Sequence, residues 1–168
     1  MGLIGSLNVY VLYCLPLYLL WKGLDCSVAG MVVPAVVAAL AELGGVGITT
    51  NLYLAGPVVY VLGAALAVAT AFFLVSDQKA RRLVGVDTDK GLGVGLAFAV
   101  VSFIMYHLGP FYRSLGTVDS GAMLWSALLF NVELCCWLLF GRYGATGNKA
   151  VMAVTVAALS LARFMQSN

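Results

Sequence analysis

Apolar residues fill six long runs of this chain, separated by short polar breaks. The runs fall at about 3–21, 28–48, 52–75, 91–111, 121–140 and 150–161. Most are near the ~20 residues that a helix needs to cross the hydrocarbon of a bilayer. Each is read as a membrane span. The sixth is short, and reaches only if its neighbours tilt or if Arg163 extends past its end to the interface. The one long polar passage, 76–90, lies between the third and fourth runs and carries Lys79, Arg81, Arg82 and Lys90. The other breaks are tight, such as Lys22-Gly23-Leu24-Asp25 and the uncharged Thr49-Thr50-Asn51.

Composition excludes a soluble core as the explanation. Of 168 residues, 62% are hydrophobic and 10% charged; a soluble domain carries roughly 45–50% apolar and about 25% charged residues. The expectation is an all-α, multi-pass integral membrane protein whose first partners are membrane lipids. The net charge of +2 is scattered and gives no surface for nucleic acid. Cys14, Cys26, Cys135 and Cys136 form no CxxC and no zinc spacing. No cofactor motif and no catalytic motif is present; His107, Arg113 and Asp119 form a local cluster without a diagnostic spacing. Met1-Gly2-Leu3-Ile4-Gly5-Ser6 fits the acylation pattern M-G-x-x-x-[ST], but a span begins directly behind it.

Within the spans a few residues stand out. Pro16, Pro34 and Pro110 each remove a backbone donor and predict a bend. Gly63, Ala67 and Ala71, and again Gly91, Gly95 and Ala99, recur every four residues and predict close helix packing. Glu42 and Glu133 are the acids within the apolar runs. A carboxylate at such depth costs at least a few kcal/mol on insertion scales, so it must be neutral, paired or beside water. Asn131 is able to hydrogen-bond to another helix, and His107 is the only histidine.

The two halves resemble each other. Tyr13 through Pro16 compares with Tyr106 through Pro110, and 30–77 aligns without a gap on 121–168. That register pairs Glu42 with Glu133, Gly56 with Gly147 and Phe73 with Phe164. The predicted organisation is a first three-helix unit (1–75), a polar cytoplasmic hinge (76–90) and a second three-helix unit (91–168). Three crossings per unit invert the second unit relative to the first, giving six transmembrane helices in a 3+3 inverted pseudo-repeat. Lys22, Lys79, Arg81, Arg82, Lys90, Arg142 and Lys149 then share the cytoplasmic side, and Arg113 and Arg163 the other. The hinge cations also suit anionic lipid heads. This organisation points to a small carrier or channel for a proton, cation or small solute, with Glu42, Glu133, Asn131 and His107 as the candidate site. The alternative is a non-catalytic subunit of a larger membrane complex, with other membrane subunits or further copies of the chain as partners.

Overall fold

In the computed structural model, residues 10–23, 28–52, 56–79, 91–108, 120–143 and 147–167 are described. They are helical throughout, with no strand among them. A π-helical segment, Tyr10–Cys14, leads into α1 (Leu15–Gly23). Next come α2 (Val28–Asn51) and α3 (Pro57–Ser76). Helix α4 (Gly91–Ser102) continues as a second π-helical segment, Phe103–Leu108, and α5 (Ser120–Tyr143) and α6 (Lys149–Ser167) complete the set. Among the described residues, five helices are long and apolar enough to cross a membrane: Met31–Asn51, Pro57–Ser76, Gly91–Leu108, Gly121–Tyr143 and Lys149–Gln166. The described part of the first, Val11–Gly23, is shorter.

Local chemistry explains several boundaries. Pro57 opens α3, where its missing N–H removes nothing, and Gly56 before it takes φ 68°, a conformation that excludes most side chains. Gly147 plays the same part ahead of α6, at φ 88°. The Asn148 carboxamide oxygen then accepts from the backbone N–H groups of Ala150 and Val151, capping the new helix. Pro16 cannot donate to the carbonyl four residues earlier, and the wide π turn precedes it directly.

The helices α2, α3, α6, α5 and α4 pack in that cyclic order, with α4 returning to α2 and closing a ring. The segment ahead of α1 lies against α5, and α1 against α4. Small residues bring the backbones together. A Cβ on Gly95 would collide with the Trp137 carbonyl, and one on Gly141 with the Gly91 carbonyl, so α4 and α5 cross in backbone contact. Gly45 meets Gly63 similarly between α2 and α3, at 3.4 Å for a Cβ on Gly45. The expected stripes are thus packing faces, and Ala67, Ala71 and Ala99 are buried. Phe98, Phe130, Trp137, Phe140 and Leu159 fill the centre. Outward lie Val36, Leu40, Leu43, Phe73, Leu128, Leu139, Val154 and Leu161. A soluble monomer does not expose apolar surface on that scale.

Three boundary expectations need correction. Thr49-Thr50-Asn51 is not a turn but the last turn of α2. Its side chains donate to carbonyls one turn back: Thr49 to Gly45, Thr50 to Val46 and Asn51 to Gly47. The helix runs unbroken through Gly44, Gly45 and Gly47, and Pro34 is buried inside it. Helix α6 does not stop at residue 161 but continues to Ser167, carrying Arg163 with it. Arg163 therefore does not reach out to an interface; only 2% of it is exposed. Lys79 is exposed, whereas Arg81, Arg82, Lys90, Pro110, Arg113 and Asp119 lie outside the described residues.

Candidate functional site

Four ionisable side chains meet inside the ring. Glu42 from α2, Glu133 from α5, Arg163 from α6 and His107 from the π segment after α4 are 2%, 1%, 2% and 3% exposed. Arg163 is the hub. Its Nη2 donates to Glu42 Oε1 at 2.6 Å and its Nη1 to Glu42 Oε2 at 3.2 Å, a two-pronged guanidinium–carboxylate pair. Tyr106 Oη donates to the same carboxylate at 2.8 Å. The guanidinium carbon also lies 4.3 Å from the centroid of the Tyr106 ring, a cation–π contact.

The second carboxylate lies on the other side of the arginine. Arg163 Nε is 3.9 Å from Glu133 Oε2 and has no hydrogen-bond partner. Ser102 links this acid to the arginine: its hydroxyl donates to Glu133 Oε2 and accepts from Arg163 Nη2 at 3.4 Å. Glu133 Oε1 faces His107 Nε2 at 3.4 Å. The other ring nitrogen, Nδ1, lies 3.1 Å from Ser126 Oγ, which accepts from Gln166 Nε2 at 2.8 Å. A hydroxyl both donates and accepts, so Ser126 accommodates His107 with either one proton or two. Tyr13 and Phe130 lie against the imidazole, and Phe103 packs behind both.

The π segment makes this convergence possible. Within it Tyr106 reaches Glu42 and Arg163 while the next residue, His107, reaches Glu133; Ser102, the last residue of α4, touches both Arg163 and Glu133. A cavity of about 170 Å³ adjoins the cluster, lined by Glu42, Thr49, Tyr60, Gly63, Tyr106 and Arg163 among others. Thr49 ends α2 and Tyr60 begins α3, so the cavity lies toward the 51–57 end of the bundle. Basic residues Lys22, Lys79, Arg142 and Lys149 belong to the opposite end.

Of the residues singled out from sequence, Glu42, Glu133 and His107 come together and Asn131 does not. Asn131 donates to Ala127, one turn back in its own helix, rather than to another helix. Both glutamates flank one guanidinium. Arg163, Tyr106, Ser102 and Ser126 were not anticipated. The sequence did hold a signal for Arg163. Two buried acids require a cation, and Thr155, Leu159, Arg163 and Gln166 recur at helical spacing along α6.

Charge sets what the cluster can do. With both carboxylates ionised, Glu42 and Glu133 carry two negative charges against the one positive charge of Arg163, a set one charge short of neutrality that a proton on the His107–Glu133 pair would balance. Burying an uncompensated charge is strongly unfavourable. Among the described residues, no His, Cys, Asp and Glu side chains are grouped to hold a metal ion. Compared with known protein families, curated proteins and solved structures, the chain matches none.

Proposed function

We propose that this chain is a multi-pass membrane carrier that moves a small solute in step with a proton held by His107 and Glu133. One observation carries the reading: a buried set of two carboxylates, one guanidinium and one imidazole, spread over four helices and short by one positive charge. Ionisable groups deep in a membrane bundle are costly, and they recur where proton or ion pathways run. The cavity beside Glu42 and Tyr106 supplies a place for the solute.

The carrier has six spans arranged as an inverted 3+3 repeat, with 76–90 as the cytoplasmic hinge between units 1–75 and 91–168. Three pairs of features support the repeat in the register read from sequence. The π segments Tyr10–Cys14 and Phe103–Leu108 fall on the aligned Tyr-to-Pro motifs. Among the described residues, the glycines at positive φ are Gly56 and Gly147, which align with each other. Glu42 and Glu133 also align, and both are buried. A role as a non-catalytic subunit draws less support. Both carboxylates have partners inside the chain, and the glycine faces are occupied by its own helices.

The test is proton movement in proteoliposomes enclosing a pH-sensitive dye. A pH step in mixed sodium and potassium chloride, with the voltage clamped by valinomycin, should give a dye response above that of empty vesicles. Glu133→Gln should reduce it at least tenfold while still purifying as a monodisperse species. Wild-type vesicles indistinguishable from empty ones would sink the reading.

A further inference from the structure

The structure leaves one buried donor without a partner at the centre of its charge cluster. Arg163 Nε points toward Glu133, 3.9 Å away, while both terminal nitrogens hold Glu42. A shift of about 1 Å would bring Nε within hydrogen-bonding range of Glu133. The guanidinium therefore sits between two carboxylates, committed to one and within reach of the other.

What holds it on Glu42 is the state of Glu133. With a proton on the His107–Glu133 pair, that carboxylate has its own counter-charge and exerts little pull. When the proton leaves, Glu133 is bare, and Arg163 is the one cation beside it among the described residues. The groups facing it can be named element by element. Ser102 from α4, His107 from its π segment and Arg163 from α6 face Glu133 itself; Tyr106 and Glu42 of α2 face Arg163, and Tyr13 from the segment before α1, with Ser126 of α5 backed by Gln166 of α6, faces His107. Helix α3 contributes the uncharged Gly63 and Tyr60.

Transfer of Arg163 to Glu133 would strip Glu42 of its cation. Glu42 lines the cavity, so the deficit reappears at a place with room for a ligand. At ~30 Å³ per water, about 170 Å³ holds five or six waters. That is enough for an alkali cation with part of its hydration shell, or for a methylammonium-sized ion.

We propose that this cavity binds a small monovalent cation against Glu42 in exchange for the proton shared by His107 and Glu133, with Arg163 passing from one glutamate to the other. The balance closes. Before exchange, two carboxylates face the guanidinium and one proton. After it, they face the guanidinium and one bound cation, and the proton has gone to water past Ser126 and Gln166. Both states are neutral, so cation and proton exclude each other, and the coupling is one for one. This rests on the carrier reading above and names its substrate class.

The experiment is proton release in detergent. Purified protein in weak buffer with a pH indicator receives sodium, potassium or methylammonium chloride, with N-methylglucamine chloride as the bulky control. At least one small cation should release close to one proton per chain, and its half-saturating concentration should fall about tenfold per pH unit while the proton is held. Glu133→Gln, which leaves Arg163 no second carboxylate, should neither bind the cation by calorimetry nor release a proton. Gly63→Val, which puts two methyls into the cavity beside Arg163 Nη1, 4.0 Å from the new Cβ, and leaves every charged residue in place, should also lose binding. Cation binding without proton release, or unchanged release from Glu133→Gln, overturns the exchange. So does proton flux in liposomes that is as fast in N-methylglucamine as in sodium or potassium, a result that leaves the carrier reading standing. Wild-type vesicles that move no protons in any salt overturn both.

Discussion

Removing Arg163 should damage this protein more than removing either acid. Arg163→Leu leaves Glu42 and Glu133 buried with no guanidinium between them. Breaking a buried ion pair by deleting one partner costs about 3–5 kcal/mol. At about 2–4 °C per kcal/mol for a chain of this length, the apparent Tm should fall by about 6–20 °C. Glu42→Gln should cost less, because the freed guanidinium has Glu133 at 3.9 Å. Glu133→Gln should be the mildest, since it leaves the Arg163–Glu42 fork intact and removes the need for the extra proton. The assay is thermal unfolding in detergent, followed by size-exclusion chromatography of heated samples at pH 7. The Arg163→Leu loss should shrink at pH 5, where unpaired buried carboxyls more readily stay neutral. If Glu133→Gln proves as damaging as Arg163→Leu, the charge accounting fails. If Arg163→Leu melts with the wild type, the buried pair contributes nothing.

Other outcomes follow from separate features. Gly95→Leu forces a side chain into the Trp137 carbonyl and should cost about 1–3 kcal/mol or more by detergent melting, whereas Gly44→Leu, with open space around it, should stay within about 0.5 kcal/mol. Tyr106→Phe removes the 2.8 Å bond to Glu42 but keeps the ring under Arg163; it should cost about 1.5 kcal/mol and slow proton flux severalfold. Asn131→Ala should leave flux unchanged and stability within about 0.5 kcal/mol, because its amide bonds only its own helix. In a background without native cysteines, Thr50→Cys should react with an impermeant maleimide from outside the cell and Lys79→Cys only after permeabilisation; the reverse pattern would overturn the orientation.

The helices were legible because each apolar run is long and each break is short. Their ends were less so. Thr49, Thr50 and Asn51 look like turn formers, yet each satisfies its side chain on a carbonyl within α2. Glu42 and Glu133 were legible as candidates because a charge in an apolar run demands an explanation. Their partner was missed for a local reason. A hydropathy window stops before Arg163, and a terminal arginine reads as interfacial unless the acids on other helices are counted with it. Tyr106 and Ser102 were hidden differently: an ordinary hydroxyl in a span carries no signal until a neighbouring helix supplies the acceptor. Asn131 misled because an amide in a span suggests a cross-helix bond, while its own backbone offers a carbonyl at no cost in packing.

Glu42 and the arginine that neutralises it are separated by 121 positions. At about 5–20 residues per second, ribosomes need roughly 6–25 s to make that much chain. During that interval the young polypeptide has an acid placed for the bilayer and no counter-ion. Glu42 must enter as the neutral acid or wait in a wet surrounding until α6 arrives. The bundle is thus locked late in synthesis, and a nascent chain cut before that helix carries Glu42 without its cation, a defect that quality-control proteases can recognise.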